Sequence, residues 1–189
     1  IGKNDHGELG IISEVLGTRV SETPSSILVV NGFDRMSSDL NTQNYIIHYA
    51  KALDHLGLSF DSSCNETIIQ NQIDLKNYSI VIWILGEEST ADNTFTNQEQ
   101  SAVQNYLENG GQLFVSGAEI GWDLEYYNNG LSFYRNYLKS GYVADDAEVY
   151  QFSGIEGSIF EGLSGLKFDD GSHGTYNVDW PDCIQPYGG

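Results

Sequence analysis

The chain has 189 residues, and its 27 Asp and Glu against 8 Lys and Arg give a formal net charge of −19 at pH 7. So acidic a surface repels phosphate backbones and anionic lipid, which argues against unaided nucleic-acid binding. The longest unbroken apolar run covers only residues 80–85, whereas a membrane span needs about 18 apolar residues, so we expect no membrane insertion. Because 40% of the residues are hydrophobic, the composition predicts a folded domain.

The N-terminal residues, the cysteines and the polar composition indicate the domain organisation and location of the protein. Residues 1–25 show no helical period, which predicts a linker or tail before a domain over residues 26–189. The two cysteines, Cys64 and Cys183, have no metal-ligand spacing and could be separate thiols or one long-range disulfide. Only 19% of residues are charged, and a surface rich in Asn, Ser, Thr, Gln and Gly is typical of secreted proteins. We therefore expect a piece of a longer secreted or cell-surface protein.

From residue 26 onward, strand and helix patterns alternate. Residues 27–30 form a β-branched run that predicts a strand buried on both faces. Residues 41–56 carry apolar side chains three and four positions apart, with Gly57 placed as a C-terminal cap, and predict an amphipathic helix. Residues 58–60 predict a second strand, and residues 80–85 predict a third, central strand.

The second half of the pattern begins at a capping box. Thr96 and Glu99 have the spacing at which each side chain can bond the other's backbone N–H, so a helix should follow. Residues 112–116 predict the fourth strand, and residues 131–139 predict a short helix ended by Gly141. Residues 147–152 and 166–168 predict strands joined by glycine-rich turns, which favours an antiparallel extension.

This order of elements predicts an α/β fold. Strand, helix, strand, strand, helix, strand is typical of a three-layer, doubly wound, mainly parallel sheet with right-handed crossovers. In such sheets, ligands bind beyond the carboxyl ends of the strands. The loops that follow the first, third and fourth strands are therefore the places to search for a site.

These three loops are rich in acidic side chains. They supply Asp34 and Arg35 after the first strand, Glu87, Glu88 and Ser89 after the third, and Glu119, Trp122 and Asp123 after the fourth. Carboxylates brought together in this way repel one another unless a cation compensates, which is typical of a functional site. The alternative is that the whole chain is acidic and the loops share that composition by chance.

The most specific local pattern is residues 117–121, in which glycines flank Glu119 at a sharp strand-to-helix turn. This is the pattern of a nucleophile elbow. It resembles the elbow of the class I glutamine amidotransferase-like superfamily, which carries Cys at the centre. Because Glu119 stands in the Cys position, the resemblance does not predict glutamine amidotransfer or cysteine-type peptidase activity.

Longer stretches carry a narrower resemblance. Residues 30–35, 85–90 and 114–124 are similar to the amidotransferase-like domain of large secreted Bacteroidetes proteins that are labelled xanthan lyase-like. Residues 7–16 resemble the last strand of a fibronectin type III module. The resemblance implies a flavodoxin-like fold over residues 26–189, a final segment beyond residue 189, and a secreted or cell-surface location beside other modules of the parent chain.

The remaining candidates carry weaker patterns. His173 lies in a turn and could act as a base toward an elbow residue or simply face solvent. The acidic turns at residues 145–146 and 169–170 do not match the ligand spacing of an EF-hand. We therefore predict no metal site and no cofactor. Trp122 lies on the elbow loop and offers a ring face on which a sugar could stack.

Two main functions remain open, and an acidic site that holds a metal ion is a third, weaker option. The first is a non-catalytic or degenerate amidotransferase-like module of a polysaccharide- or cell-wall-active protein, whose acidic cleft binds a glycan, a peptidoglycan fragment or a peptide. The second is a hydrolase in which Glu119 and either Glu87 or Glu88 form a carboxylate pair, one protonated as general acid and one ionised. In the second case, His173 is a further catalytic candidate, while the binding candidates are Asp34, Arg35, Ser89, Trp122 and Asp123.

Overall fold

The computed structural model describes residues 15–35, 44–172, 176–178 and 180–188. The chain divides into two compact units, the first formed by Ile1–Glu88 and Thr94–Gly117 and the second by Ser89–Asn93 and Ala118–Gly189. Most of residues 7–16, for which a fibronectin-like strand is predicted, and His173 lie outside the described residues.

The first unit contains a four-stranded parallel sheet. Its strands are β1 (Ile27–Asn31), β2 (Asp61–Cys64), β3 (Ile80–Gly86) and β4 (Gln112–Gly117), in the order β2-β1-β3-β4. All five residues of β1 are buried, as its continuous apolar run predicts for a strand buried on both faces, and β1 pairs with β2 on one side and β3 on the other. The predicted α/β fold with a mainly parallel sheet is confirmed.

Three helices connect these strands: α1 (Ile46–His55), α2 (Asn65–Ile69) and α3 (Asn97–Glu108). From β1 the chain steps to β2 at one edge of the sheet. From β2 it crosses back over β1 to β3 and then continues to β4 at the opposite edge. Right-handed crossovers therefore place α1 on one face of the sheet and α2 and α3 on the other, where α2 and α3 pack together. The cap predicted after the first helix is confirmed, since Gly57 has a φ of 73°.

The core of the first unit centres on Trp83 of β3. Its side chain is fully buried, and its ring packs against Phe95 with 5.4 Å between ring centroids. Gly32 lies directly against this ring, because a Cβ atom built there would lie 2.3 Å from Trp83 Nε1. Glycine after β1 is thus required for the indole to fit beneath the turn.

The predicted capping box at α3 is confirmed. Thr96 Oγ1 accepts a hydrogen bond from Glu99 N–H at 3.4 Å, and Thr96 N–H donates to Glu99 Oε2 at 2.6 Å. These bonds satisfy backbone donors that the first helical turn leaves without partners.

The second strand lies three residues later than predicted. The more apolar residues 58–60 form only an isolated bridge between Phe60 and Arg19, whereas β2 contains the polar sequence Asp61–Cys64. β2 is at the edge of the sheet, with β1 on one side. Such a strand can pair through its backbone without a hydrophobic run, so the apolar pattern marked the wrong residues.

The second unit contains short elements. A 3₁₀ turn (Ser89–Ala91) and a π-helical segment (Trp122–Tyr126) precede α4 (Leu131–Asn136). β5 (Ser140–Ala144) pairs antiparallel with β8 (Cys183–Pro186), and β6 (Gln151–Phe152) pairs antiparallel with β7 (Leu166–Lys167).

Three details of the second unit differ from the sequence prediction. The helix predicted over residues 131–139 ends at Asn136, and Gly141 lies in β5 instead of capping the helix. The strands predicted at 147–152 and 166–168 do pair, but over two residues each and as a separate sheet. The pairing of β5 with β8 was not predicted, because residues some 40 positions apart leave no local pattern.

Two findings concern the whole described chain. Neither Cys64 nor Cys183 forms a disulfide in the structure. Within residues 15–35, 44–172, 176–178 and 180–188, no helix has the length and apolar character of a membrane span.

Candidate functional site

At the carboxyl edge of the parallel sheet, an acidic side chain joins two loops. Glu88 is 1% exposed, and its Oε2 accepts hydrogen bonds from the backbone N–H groups of Asp34 at 2.8 Å and Arg35 at 3.1 Å. The Arg35 guanidinium donates through Nη1 to the Glu87 carbonyl at 3.0 Å. The structure thus brings four predicted site residues together, and their contacts tie the loop after β1 to the loop after β3.

A buried amide extends this network. Asn65 Nδ2 donates to Asp34 Oδ2 at 2.7 Å and to Glu99 Oε1 at 2.8 Å, and both Asn65 and Glu99 are buried. A carboxylate that is removed from water must recover its hydration through such hydrogen bonds. At this edge, Glu88, Asn65 and Glu99 therefore stabilise the loop arrangement.

The turn after β4 contains a residue in a left-handed backbone conformation. Glu119 has a φ of 56°, in the left-handed region that side chains other than Gly, Asn and Asp rarely adopt. Its carbonyl accepts a hydrogen bond from Asp123 N–H at 3.0 Å, and the chain then enters the π-helical segment. Both π-helical geometry and left-handed non-glycine residues are enriched at functional sites.

Asp182 anchors the start of this helical segment. Its Oδ2 accepts hydrogen bonds from Gly121 N–H at 2.8 Å and Trp122 N–H at 3.2 Å, two groups that the first turn of a helix leaves without partners. Its Oδ1 is buried without a hydrogen-bond partner among the described residues. Burial raises the pKa of Asp182 to about 6, and repulsion by Glu119 and Asp145 adds to the effect, while the two N–H groups oppose it.

Gly121 is closely packed against this anchor. A Cβ atom built at Gly121 would lie 2.7 Å from Tyr134 Oη, 3.1 Å from Asp182 Oδ2 and 3.1 Å from Tyr142 Cδ2. Burial and the charges of Asp182 and Glu125 raise the pKa of Tyr134 well above its ordinary value, so its hydroxyl stays protonated. The second glycine of the elbow pattern therefore lets Asp182 and two tyrosines approach the backbone.

Four aromatic residues form a cluster beside this anchor, and we call it the aromatic platform. Trp122 stacks on Tyr126 with 4.2 Å between centroids and 7° between planes, and Tyr127 meets Trp122 edge-on at 5.2 Å. Tyr142 tilts against Trp122 at 6.2 Å and against Tyr126 at 6.0 Å. Tyr126 is 60% exposed and Tyr127 is 54% exposed, so the platform presents ring surface to solvent.

A second carboxylate, Glu125, holds the segment that carries the platform. Glu125 lies within the π-helical segment, forms an ion pair with Arg135 of α4, and accepts a hydrogen bond from Tyr142 N–H at 2.9 Å. Although burial opposes it, these bonds lower the pKa of Glu125 below its ordinary value, so it is ionised at neutral pH. Asp182 and Glu125 thus hold the aromatic residues in place before any ligand arrives.

The other predicted residues lie in different surroundings. Glu119, Trp122 and Asp123 follow β4 along the chain and belong to the second unit, where Asp123 is fully buried. Ser89 is also buried and begins the 3₁₀ turn with a φ of 53°. Burial leaves these two side chains little surface for a ligand. No group of three or more His, Cys, Asp or Glu that could hold a metal ion occurs in the described part of the chain.

Sequence reasoning missed Asp182, Tyr126, Tyr127 and Tyr142. Asp182 lies some 60 residues from the backbone it anchors and has no local pattern, so no sequence signal pointed to it. A signal did exist for Tyr126, which follows Trp122 by four residues, the spacing that places two side chains on one helix face.

We expect Asp182→Asn to remove a pH dependence of stability. A carboxyl whose pKa is raised on folding stabilises the protein fully below its unfolded pKa, and this stabilisation is lost as the pH rises toward 6. Relative to Asp182→Asn, the wild type should lose about 1 kcal/mol between pH 4 and pH 7, less than the full shift implies because the carboxyl retains some solvent. Urea unfolding at several pH values measures this difference, and parallel curves for the two proteins would contradict it.

Comparisons with protein-family models, with curated proteins and with solved structures found no match to this chain. A functional assignment therefore rests on the residues and geometry described above.

Proposed function

We propose that this chain is a non-catalytic, amidotransferase-like module that binds neutral glycans at its aromatic platform. We place it in a secreted or cell-surface protein that acts on polysaccharide or the cell wall, beside other modules of the same parent chain. The observation that carries the proposal is the platform itself, in which the exposed Tyr126 ring stacks on a half-buried Trp122.

The platform has the chemistry that a sugar ring needs. One face of a pyranose consists largely of C–H bonds and packs on an aromatic ring, whereas its hydroxyl groups need hydrogen-bond partners. The exposed Tyr126 ring, supported by the half-buried Trp122 stacked against it, supplies the flat surface. The Tyr126 and Tyr127 hydroxyls and the half-buried Glu119 and Asp145 supply polar groups in the same unit.

Asp182 and Glu125 order the platform in advance, which lowers the entropic cost of binding a ligand. Asp182 holds the backbone of Trp122, and Glu125 holds the same segment through Arg135 and Tyr142. Immobilising a free side chain on binding costs about 0.5–1.5 kcal/mol, and a platform that is already ordered avoids much of this cost.

The negative charge of the chain favours an uncharged ligand over an anionic one. The chain carries a net charge of −19, and Asp145 and Glu119 act electrostatically on Asp182 beside the platform. A polysaccharide rich in uronate, pyruvate or sulfate groups would be repelled by this field. Neutral β-linked chains of hexose or N-acetylhexosamine fit both the charge and the flat ring surface.

The alternative hydrolase has less support. It requires Glu119 to act with Glu87 or Glu88, but Glu88 is buried and its Oε2 already accepts two backbone hydrogen bonds. A carboxylate in this environment serves as a structural acceptor. We therefore favour binding over catalysis.

Isothermal titration calorimetry tests the proposal by measuring the affinity for cellohexaose, N-acetylchitohexaose and, as an anionic comparison, hexagalacturonate. We expect at least one neutral hexaose to bind, and Tyr126→Ala to weaken its binding by about tenfold or more. Trp180→Ala is the matched control, since Trp180 is an exposed aromatic residue of the same unit outside the platform. Equal affinity of Tyr126→Ala and the wild type, or binding of hexagalacturonate alone, would reject the proposal.

A further inference from the structure

Residues 149–168 of the second unit expose an unusual amount of apolar surface. Ile159 is 93% exposed and Ile155 is 61% exposed. Seven more large apolar side chains of this segment are exposed, and with Ile155 and Ile159 they form what we call the apolar segment: Val149, Tyr150, Phe152, Phe160, Leu163, Leu166 and Phe168. Soluble proteins rarely leave so many neighbouring apolar side chains in water unless they bind a partner.

These side chains belong to one small substructure. β6 and β7 pair at Gln151 with Lys167 and at Phe152 with Leu166, and the rings of Phe152 and Phe168 stack at 4.7 Å. The turn between the two strands folds back on them, because Gly154 N–H donates to the Leu163 carbonyl at 2.8 Å. The exposed apolar groups are thus held together on a common local framework.

The charges in and around the apolar segment are mostly negative. Residues 145–170 contain seven Asp and Glu and a single basic residue, Lys167, for a formal net charge of −6. Acidic side chains stand at both ends, at residues 145–148 and 169–170, and also within it at Glu156 and Glu161. The partner that complements this pattern presents apolar groups flanked by positive charge.

We propose that residues 145–170 form a docking surface for a basic protein segment, one that presents apolar side chains flanked by Lys and Arg. Burial of the apolar groups supplies affinity, and the acidic flanks select a basic partner over an acidic one. A second copy of this chain is disfavoured because it would bring together two surfaces of charge −6. Anionic membrane is repelled by the same charge.

The docking surface and the aromatic platform have different aromatic and apolar residues, although Asp145 stands at the start of the one and acts on Asp182 beside the other. The docking surface shares no residue with Trp122, Tyr126, Tyr127 and Tyr142. Its experiment uses no glycan, so failure of this proposal and failure of glycan binding can be told apart.

The test uses three synthetic peptides of equal length: an amphipathic Leu and Lys peptide, a Ser and Lys peptide of the same charge, and a Leu and Glu peptide. Fluorescence anisotropy should show the Leu and Lys peptide binding about tenfold or more tightly than the Ser and Lys peptide, with the Leu and Glu peptide not binding. The double variant Ile155→Ser, Ile159→Ser should weaken Leu and Lys binding by about tenfold. Because both side chains are largely exposed, these substitutions should leave the fold intact.

A matched control separates the surface from general charge attraction. The double variant Val20→Ser, Leu56→Ser removes two exposed apolar side chains from the first unit and should bind the Leu and Lys peptide like the wild type. Equal binding by the Ile155 and Ile159 variant and the wild type would overturn the proposal. So would a dimer, or binding to phosphatidylglycerol vesicles, that this variant abolishes, because either result would assign the surface to another occupant.

Discussion

Replacing Glu88 by Ala should lower the free energy of unfolding by about 2 kcal/mol, since it leaves two half-buried backbone donors without their acceptor. Glu88 Oε2 accepts from Asp34 N–H and Arg35 N–H, and the side chain is almost completely buried. The loop after β1 would lose its main bond to the loop after β3. Chemical denaturation of the wild type and the variant measures the difference.

Two further variants make this result interpretable. Glu88→Gln keeps an oxygen that can accept both hydrogen bonds but removes the charge, so it should fall between wild type and Glu88→Ala in stability. Glu22→Ala removes an exposed glutamate of the first unit and should change stability by less than about 0.5 kcal/mol. A Glu88→Ala protein as stable as Glu22→Ala would show that Glu88 is not the structural acceptor described here.

Replacing Gly121 by Ala should reduce both stability and glycan binding. The backbone at Gly121 has helical angles, φ −70° and ψ −38°, so alanine introduces no backbone strain there. Its methyl group would instead press on Tyr134 Oη, Asp182 Oδ2 and Tyr142 Cδ2. Overpacking of this kind costs about 1–3 kcal/mol, and we expect about 2 kcal/mol together with a loss of glycan affinity of about tenfold or more.

The loss of affinity follows from the position of Gly121 next to Trp122. Displacement of this turn breaks the hydrogen bonds that Gly121 N–H and Trp122 N–H donate to Asp182, and with them the anchor of the segment in which Trp122 stacks on Tyr126. Gly17→Ala is the control, because no heavy atom lies within 4 Å of a Cβ built there and its φ lies outside the left-handed range. Thermal unfolding and calorimetry of both variants test the prediction, and a Gly121→Ala protein that melts and binds like Gly17→Ala would contradict it.

Much of the fold could be predicted from the sequence because its signals are local. The apolar runs that became β1 and β3 are short and uninterrupted, and the capping box of α3 depends on Thr96 and Glu99, three residues apart. β2 could not be placed in the same way, because its residues Asp61–Cys64 are polar and pair through backbone groups. The pairing of β5 with β8 joins residues that are distant in sequence, and a local sequence pattern carries no information about such pairing.

The candidate site could be predicted only in part. The predicted parallel sheet placed four residues at one sheet edge, and the structure brings them together there: Asp34, Arg35, Glu87 and Glu88. Sequence could not show that Glu88 would be used as a buried acceptor, since its partners are backbone groups of another loop. Trp122 was identified as a cleft candidate, but the role of Asp182 depends on a tertiary contact across about 60 residues.

The two units therefore use acidic side chains differently. In the first unit, Glu88 and Glu99 are buried and hydrogen-bonded, and they hold loops and helix ends together. In the second unit, Asp182 and Glu125 support a turn whose aromatic residues face solvent. A composition with a net charge of −19 thus contains acids that stabilise the fold and acids that support a surface suited to binding.

The most direct test of glycan recognition is an NMR titration followed at the tryptophan indole N–H signals. The chain has three tryptophans: Trp122 in the platform, Trp83 buried in the core, and Trp180 exposed outside the platform. Titration with cellohexaose and N-acetylchitohexaose to about 1 mM should shift the Trp122 signal with at least one of them and leave Trp83 and Trp180 unchanged. No shift at Trp122 with either hexaose, or a shift at Trp180 alone, would contradict glycan binding at the platform.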